Sequence, residues 1–191
     1  VEHGLYTGFY PNSIGREDAV AALGCHEDTI KIGTLGQIRE YKSLPSKIDA
    51  VKTANEITEG KIEYLIAGKV SCSETLVKAK EATNLVLHNR FISDEEVQVY
   101  LKACDYVLLS YRDILTSGSY FQAATFETPC IAPSLGSLNY YIVNGINGYH
   151  YSNELGLRSI LTKLDRTTPL LVPAGLAAVE TNWPTLEIIQ S

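Results

Sequence analysis

A short segment that combines glycine with two cations carries the first pattern that suggests chemistry. It reads Gly36-Gln37-Ile38-Arg39-Glu40-Tyr41-Lys42 in a chain of 191 residues whose net charge is −6. Glycine lets a ligand approach the backbone closely, and the guanidinium of Arg39 and the ammonium of Lys42 are suited to a diphosphate. The segment therefore predicts a diphosphate site, with a solvated pair of surface cations as the alternative.

A second segment, Asp113-Ile114-Leu115-Thr116-Ser117-Gly118-Ser119, places small and hydroxyl-bearing residues at the start of a predicted helix. The free N–H groups and the dipole at a helix start favour an anion there. Three hydroxyl groups around Gly118 are more than a helix cap needs, and capping alone is the alternative. Neither segment matches the G-x-x-x-x-G-K-S/T phosphate loop or the G-x-G-x-x-G dinucleotide motif.

Composition excludes several classes of protein. A pI near 5.2 argues against a general nucleic-acid-binding surface, and no apolar run approaches the roughly 18 residues of a membrane span. Nothing at the start of the sequence resembles a secretion signal, so we expect a reducing, cytoplasmic location. The spacing of cysteines and histidines predicts no metal site, because these residues are scattered along the chain: Cys25, Cys72, Cys104, Cys130, His3, His26, His88 and His150.

The elements that must position these segments alternate between strand and helix. Strands are predicted over residues 29–35, 61–67, 84–88, 105–111, 129–133 and 148–151, with helical patterns between them and a last helix in the tail. Such alternation predicts an α/β fold, a Rossmann-like doubly wound parallel sheet flanked by helices. Residues 105–111 form the most apolar strand, which predicts a central position. Ligands bind at the carboxyl ends of such strands, where both segments fall.

Several separated motifs follow one another in a fixed order: HGxY, GxIRxYKS, IAGK, FISDEEVxxYLxACDYVLLSY, LTSGS, TPCIAPSLGS and NGxNGYHY. In this order they resemble the C-terminal, nucleotide-sugar donor-binding domain of retaining "group 1" glycosyltransferases with the GT-B fold. The resemblance runs from about His3 to Trp183. It implies a single Rossmann-like donor-binding domain over residues 1–191. Its terminal helix, from about residue 174 and including Trp183, would cross toward an absent N-terminal domain.

The resemblance also implies roles for individual residues. Arg39, Lys42 and the backbone amides of Thr116, Ser117, Gly118 and Ser119 would hold the donor diphosphate. Phe91 and Ile92 would hold the base, next to Gly36, Gly68 and Lys69, and Gln122 would hydrogen-bond the ribose hydroxyls.

Three positions depart from the family pattern. The usual pair of glutamates, eight positions apart, falls on Ile114 and Gln122, and Asp113 is one residue away from the first of them. Asn139, after the Gly136-Ser137 turn, stands where the family often has glutamate. We therefore expect some contacts to the donor to differ from those of the family, or the activity to be altered or lost.

The implied reaction moves a sugar from a nucleoside diphosphate sugar to an acceptor hydroxyl, as in a hexosyltransferase, with neither metal nor cofactor. Because the chain contains no methionine, we expect it to be a fragment of a longer protein. Such a fragment would bind the donor without turnover. The acceptor-side catalytic residues would belong to the absent N-terminal acceptor-binding domain, which could also provide peripheral membrane contact. The alternatives are a sugar-nucleotide epimerase relative of GT-B fold and a non-catalytic nucleotide-sugar-binding module. No nucleic-acid partner is expected.

Overall fold

The protein is built around one parallel sheet. The computed structural model describes residues 5–114 and 117–166, so Thr116, Trp183 and the helix expected from about residue 174 lie outside the described residues. The strands are β1 (Ile30–Leu35), β2 (Ile62–Ala67), β3 (Leu85–His88), β4 (Tyr106–Leu108), β5 (Cys130–Pro133) and β6 (Gly148–Tyr151). They are joined in the order β3-β2-β1-β4-β5-β6, and all neighbouring pairs are parallel.

Helices cover both faces of this sheet. They are α1 (Arg16–Leu23), α2 (Leu44–Ile57), α3 (Ser73–Glu81), α4 (Asp94–Ala103), α5 (Gly118–Thr125), α6 (Leu138–Tyr141) and α7 (Glu154–Leu161), with a 3₁₀ turn at Glu40–Lys42. One face packs against α2, α3 and α7, and the other against α4, α5 and α6, with α1 resting on α4. The predicted fold class is confirmed.

Alternation of side chains along the strands creates a separate hydrophobic core on each face. In β2, Ile62, Tyr64 and Ile66 belong to the core beneath α2, while Leu65 and Ala67 belong to the core beneath α4. Successive side chains of a strand point to opposite faces, so a strand buried on both sides is mostly apolar, and in β2 the exception is Glu63. Both cores hold the carboxyl ends of the strands in fixed positions.

The strand β4 is shorter than the predicted 105–111, because its last carbonyl groups are hydrogen-bonded by side chains. Thr34 Oγ1 donates to the Leu108 carbonyl at 2.9 Å, and Tyr151 Oη donates to the Leu109 carbonyl, also at 2.9 Å. The Leu109 N–H still donates to β5. Beyond this point the chain is free to leave the sheet, and Tyr111 starts the loop that leads to α5.

The sheet order reverses between β1 and β4. The chain leaves β1 toward one edge of the sheet and leaves β4 toward the other, which opens a crevice at their carboxyl ends. Within residues 5–114 and 117–166, no helix is long and apolar enough to span a membrane.

Candidate functional site

A cavity of about 310 Å³ lies in the crevice where the sheet order reverses. It is built by two segments, one after β1 and one after β4. The residues that line it are Gly36, Gln37, Tyr41 and Lys42 from the first segment and Tyr111, Asp113, Ile114, Ser117, Gly118 and Ser119 from the second. The fold therefore brings together most of the residues predicted to hold a diphosphate.

Lys42 is the buried cation of this cavity. Its side chain is 5% exposed, and Nζ donates a hydrogen bond to the Leu35 carbonyl at 3.3 Å. The 3₁₀ turn Glu40–Lys42, followed by Ser43 in the left-handed region (φ 49°), folds the lysine back beneath the end of β1. Burial lowers the pKa of Lys42 to about 8. For Lys42, the alternative of a solvated surface cation is wrong.

Arg39 has a different environment. It is exposed, it is not among the residues that line the cavity, and its Nη2 donates to Gln37 Oε1 at 2.6 Å. Gln37 does line the cavity, so this hydrogen bond holds the guanidinium beside the opening. The role of Arg39 on a diphosphate stays a prediction.

The start of α5 forms the opposite wall. Ser117 Oγ accepts the Tyr120 N–H at 3.1 Å, so this hydroxyl does act as a helix cap. Gly118 and Ser119 are the first two residues of α5, and N–H groups in the first turn of a helix have no acceptor within the helix. A Cβ atom on Gly118 would lie 3.3 Å from Tyr6 Oη, so the backbone here is already closely covered on one side.

Two tyrosines join the walls of the cavity, and neither was predicted from the sequence. The rings of Tyr41 and Tyr111 are parallel within 6°, with centroids 6.2 Å apart, and Lys42 Nζ lies 5.9 Å from the Tyr111 centroid. Tyr111 Oη shares a hydrogen bond of 3.1 Å with Ser117 Oγ. The sequence held one indication of this pair, because each of the two loops that meet at the reversal of strand order contains a tyrosine.

Arg112 adds two further links between the same loops. Its backbone N–H donates to the Tyr41 carbonyl at 3.1 Å, and its side-chain Nε donates to Ser43 Oγ at 3.1 Å. Together with the tyrosine pair, these bonds fix the loop of Lys42 against the loop that precedes α5.

Gly68 and Lys69 support the first loop from the side of β2. A Cβ atom on Gly68 (φ 140°) would lie 1.9 Å from the Gly36 carbonyl oxygen, so only glycine allows this approach. The Lys69 carbonyl accepts the Ile38 N–H at 3.0 Å. Neither residue lines the cavity, and both hold the backbone of residues 36–38 in place.

Of the residues predicted to surround the base and ribose, Gly36 lines the cavity and the others do not. Phe91 is 79% exposed after β3, two strand spacings or about 10 Å from β1, while Ile92 is half-buried against the second core. Arg90 and Glu96 pair at 2.5 Å, and a capping box between Ser93 and Glu96 starts α4. These contacts fix the turn that carries Phe91.

Gln122 and Asn139, two of the three positions that depart from the family pattern, are hydrogen-bonded within the protein. Gln122 Nε2 donates to Tyr10 Oη at 3.0 Å, and Asn139 Oδ1 accepts from Ser134 Oγ at 2.9 Å. Neither lines the cavity, whereas Asp113 and Ile114 both do. Contact of Gln122 with a ribose stays a prediction.

Another cavity, of about 300 Å³, lies at the opposite end of the sheet around Asp105. Its central carboxylate is already paired: Asp105 accepts from Arg16 at 2.6 Å and from the Lys31 N–H at 2.8 Å. We therefore place the candidate site at the carboxyl end. Among the described residues, no three His, Cys, Asp or Glu side chains are grouped so that they could hold a metal ion.

The doubly wound sheet with its cavity at the reversal of strand order defines a Rossmann-like α/β domain. The sequence model of the family "Glycosyl transferases group 1" matches residues 15–164, and the chain belongs to this family. No curated protein sequence shows significant similarity to the chain.

Solved structures with low sequence identity share the fold. The C-terminal domain of the group 1 glycosyl transferase LpcC from Francisella tularensis is 19% identical, with a TM-score of 0.73 over 96% of this chain and 100% of that domain. HepE of Anabaena, in complex with UDP and glucose, is 16% identical, with a TM-score of 0.74 over 100% of this chain and 56% of that protein. WaaG, a glycosyltransferase involved in lipopolysaccharide biosynthesis, is 18% identical, with a TM-score of 0.73 and coverages of 95% and 50%. The chain thus has the fold of a GT-B C-terminal domain and spans about half the length of HepE and WaaG.

Proposed function

We propose that this domain binds the donor of a glycosyltransferase, a nucleoside diphosphate sugar whose sugar is transferred to an acceptor hydroxyl. The observation that carries the proposal is the buried ammonium of Lys42 across the cavity from the start of α5. A buried cation that is hydrogen-bonded to a carbonyl lacks a full counter-charge, and a diphosphate would supply it. First-turn N–H groups favour the same kind of ligand.

The chemistry follows from where charge develops. When the bond between the sugar and the diphosphate breaks, negative charge grows on the leaving diphosphate. Groups that are fixed in advance and aimed at that charge stabilise the transition state more than the ground state. Lys42 and the amides of Gly118 and Ser119 are held by the tyrosine pair and by the Arg112 bonds, so little reorganisation is needed. In this proposal neither metal nor cofactor takes part.

Transfer itself needs more than this domain. The acceptor and the residues that contact it would belong to an N-terminal domain of a longer chain. The transferred sugar would be a hexose, and its anomeric configuration would be retained. HepE of Anabaena is solved in complex with UDP and glucose and with UDP-glucose, which supports UDP-glucose as the first donor to test. The 191-residue chain alone is expected to bind donor without turnover.

Calorimetric titration of the chain with UDP, GDP and ADP tests the proposal. We expect one nucleotide to bind in a 1:1 ratio, and Lys42→Met to weaken its binding about tenfold or more, since a charge-assisted hydrogen bond contributes about 1.5–3 kcal/mol. Lys80→Met is the matched control, because Lys80 is exposed on α3.

Three results would contradict the proposal. Binding of none of the nucleotides would remove the donor site, and equal effects of Lys42→Met and Lys80→Met would place the phosphate elsewhere. If a longer chain containing this domain released free nucleotide from a donor with no acceptor product, the epimerase alternative would replace the transferase.

A further inference from the structure

The amine nitrogen of Lys42 borders open space as well as the carbonyl group that it contacts. Gly36 lines the cavity of about 310 Å³. Apart from its two neighbours in the chain, the only described atom within 4 Å of a Cβ atom built on Gly36 would be Lys42 Nζ, at 3.8 Å. Nζ therefore lies at the edge of the cavity, although most of the lysine side chain is buried. A small molecule in the cavity can reach this nitrogen.

No carboxylate neutralises the amine. Among the residues that the structure describes, no Asp or Glu oxygen lies within salt-bridge distance of Nζ. The other charged groups nearby point into solvent or toward other partners: Asp113 on the cavity wall, Arg39 and Glu40 in the same turn, and Arg112, which donates to Ser43. Burial, rather than a neighbouring charge, is what lowers the pKa of Lys42 to about 8.

A lysine with this pKa is a nucleophile under ordinary conditions. At neutral pH the fraction of molecules that carry the uncharged amine is roughly two orders of magnitude larger than for a lysine with the usual pKa of 10.5. The uncharged amine has a free electron pair, and desolvated lysines are the ones that react with carbonyl compounds in proteins. Lys42 therefore combines access from the cavity with a reactive form of its amine.

The same cavity presents phosphate-binding groups to a ligand that reaches Lys42. The first-turn N–H groups of Gly118 and Ser119 have no acceptor within α5. Tyr111 contacts both sides of the cavity, because its Oη bonds to Ser117 Oγ at 3.1 Å and its ring centroid lies 5.9 Å from Lys42 Nζ. The amine and the start of α5 thus face one small space.

Aromatic surface completes the wall. The ring of Tyr41 is exposed and lies parallel to that of Tyr111, and both residues line the cavity. Aromatic rings favour contact with other flat rings. The cavity therefore suits a compound that combines a flat ring, an electrophilic carbonyl group and a phosphate.

We propose that Lys42 is a covalent modification site for aldehydes that carry a phosphate group, which form an imine with Nζ while the phosphate binds at the start of α5. Nζ attacks the carbonyl carbon and a C–N bond forms. The carbonyl oxygen leaves as water with both hydrogens of the neutral amine, so the step needs neither oxidant nor reductant, and hydrolysis reverses it. The imine blocks the cavity to a nucleotide, and this last consequence alone rests on the proposed function.

Pyridoxal 5′-phosphate is the probe. Pyridoxal, which has the same ring and aldehyde without the phosphate, is the matched control compound. Sodium borohydride adds a hydride to the imine carbon, the nitrogen takes a proton from solvent, and the resulting secondary amine is located by mass spectrometry of proteolytic peptides. Lys52 and Lys80, exposed on α2 and α3, are controls within the same molecule.

We expect pyridoxal 5′-phosphate to label Lys42 about tenfold or more faster than Lys52 or Lys80 at neutral pH, because of its larger fraction of neutral amine. Pyridoxal should lose most of this advantage, since it has no phosphate for the start of α5. Lys42→Met should remove the fast labelling and Lys80→Met should keep it. Peptide mapping of the wild type gives the rates at each lysine without relying on the folding of any variant.

Two results would overturn the modification site. One is labelling of Lys42 no faster than that of the exposed lysines, and the other is labelling of Lys42 by pyridoxal as fast as by its phosphate. The same experiment separates this inference from the proposed function. Fast labelling of Lys42 that UDP, GDP and ADP all fail to slow would keep the modification site and overturn the donor site. Slow labelling in a protein whose nucleotide binding depends on Lys42 would overturn the modification site alone.

Discussion

The ammonium nitrogen of Lys42 lies 3.3 Å from the carbonyl oxygen of Leu35, at the carboxyl end of the first strand. A carbonyl carries only a partial negative charge, so this contact orients the lysine without neutralising it. The result is a pKa lowered by burial from 10.5 to about 8, close to the pH of most binding experiments.

Diphosphate affinity is therefore expected to depend on pH through Lys42. In the proposed site the charged lysine would bind the diphosphate. Above pH 8 the free protein has lost that charge, so binding would then take up a proton. We expect affinity for the nucleotide to fall about tenfold per pH unit above pH 8, measured by calorimetry between pH 7 and pH 9.

The control is Lys42→Arg, because a guanidinium stays charged throughout this range. Its affinity is lower than that of the wild type at pH 7, since the fork and the point charge differ in shape, but it is flat with pH. Parallel pH profiles for the two proteins would show that Lys42 does not meet the phosphate.

The free energy of unfolding should rise with pH, whereas the affinity for the diphosphate should fall. The folded pKa of Lys42 lies below the unfolded value of 10.5, so the folded state holds an unfavourable charge below pH 8. This cost, about 3 kcal/mol from the difference in pKa, is relieved as pH rises from 8 toward 10.5. We expect Lys42→Met to raise the free energy of unfolding at pH 7, with the difference from wild type shrinking at pH 10 in urea titrations. A destabilised Lys42→Met at pH 7 would contradict this account.

Arg39→Ala is expected to weaken nucleoside diphosphate binding about tenfold, from the loss of a charge-assisted hydrogen bond, and to leave binding of the uncharged nucleoside unchanged. Melting should not change, because Arg39 is exposed. Gln37→Ala should give a smaller loss, since it frees the guanidinium that Gln37 holds. Lys52→Ala, an exposed cation on α2, is the control, and equal losses of nucleoside and diphosphate would mean that Arg39 only shapes the opening.

Phe91→Ala is expected to weaken binding of nucleoside and nucleotide alike, by about 1–3 kcal/mol, if the ring stacks on the base. A side chain that is 79% exposed supports little of the core, so the melting temperature should stay the same. Tyr140→Ala, which removes another exposed aromatic ring (72%), is the matched control. Unchanged nucleoside affinity in the Phe91 variant would move the base away from β3.

Tyr111→Phe removes the hydroxyl that is shared with Ser117 and keeps the ring against Tyr41. We expect a loss of diphosphate affinity of a few fold, in line with about 0.5–1.5 kcal/mol for a neutral hydrogen bond, with nucleoside binding unaffected. Tyr41→Phe, which also preserves the ring pair, serves as the control. If both variants bind like the wild type, the hydroxyl of Tyr111 is not needed to hold the start of α5.

Most of the fold could be predicted from local patterns. The acidic first turn and the glycine after α1, the capping box of α4 and the alternation in β2 are properties of neighbouring residues, so each was visible in the sequence. The end of β4 was not, because it depends on hydroxyl groups of Thr34 and Tyr151, which approach from other strands.

The site was only partly predictable for the same reason. The types of Lys42, Ser117 and Gly118 indicated phosphate chemistry, but burial of Lys42 depends on the turn before Ser43 and on the sheet above it. Pairing of Tyr41 with Tyr111 joins residues far apart in the chain, and no local pattern contains that information.

That pairing also has an evolutionary consequence. The segments 36–42 and 111–119 meet through the Tyr41–Tyr111 rings and the bonds of Arg112, so a replacement in one segment alters the surface that the other must fit. Under the proposed function, the preference for one donor then depends on both segments together, although they are far apart in the sequence. Related sequences should show correlated substitutions between the two stretches, and a chimera that exchanges only one of them should lose binding rather than acquire the preference of its parent.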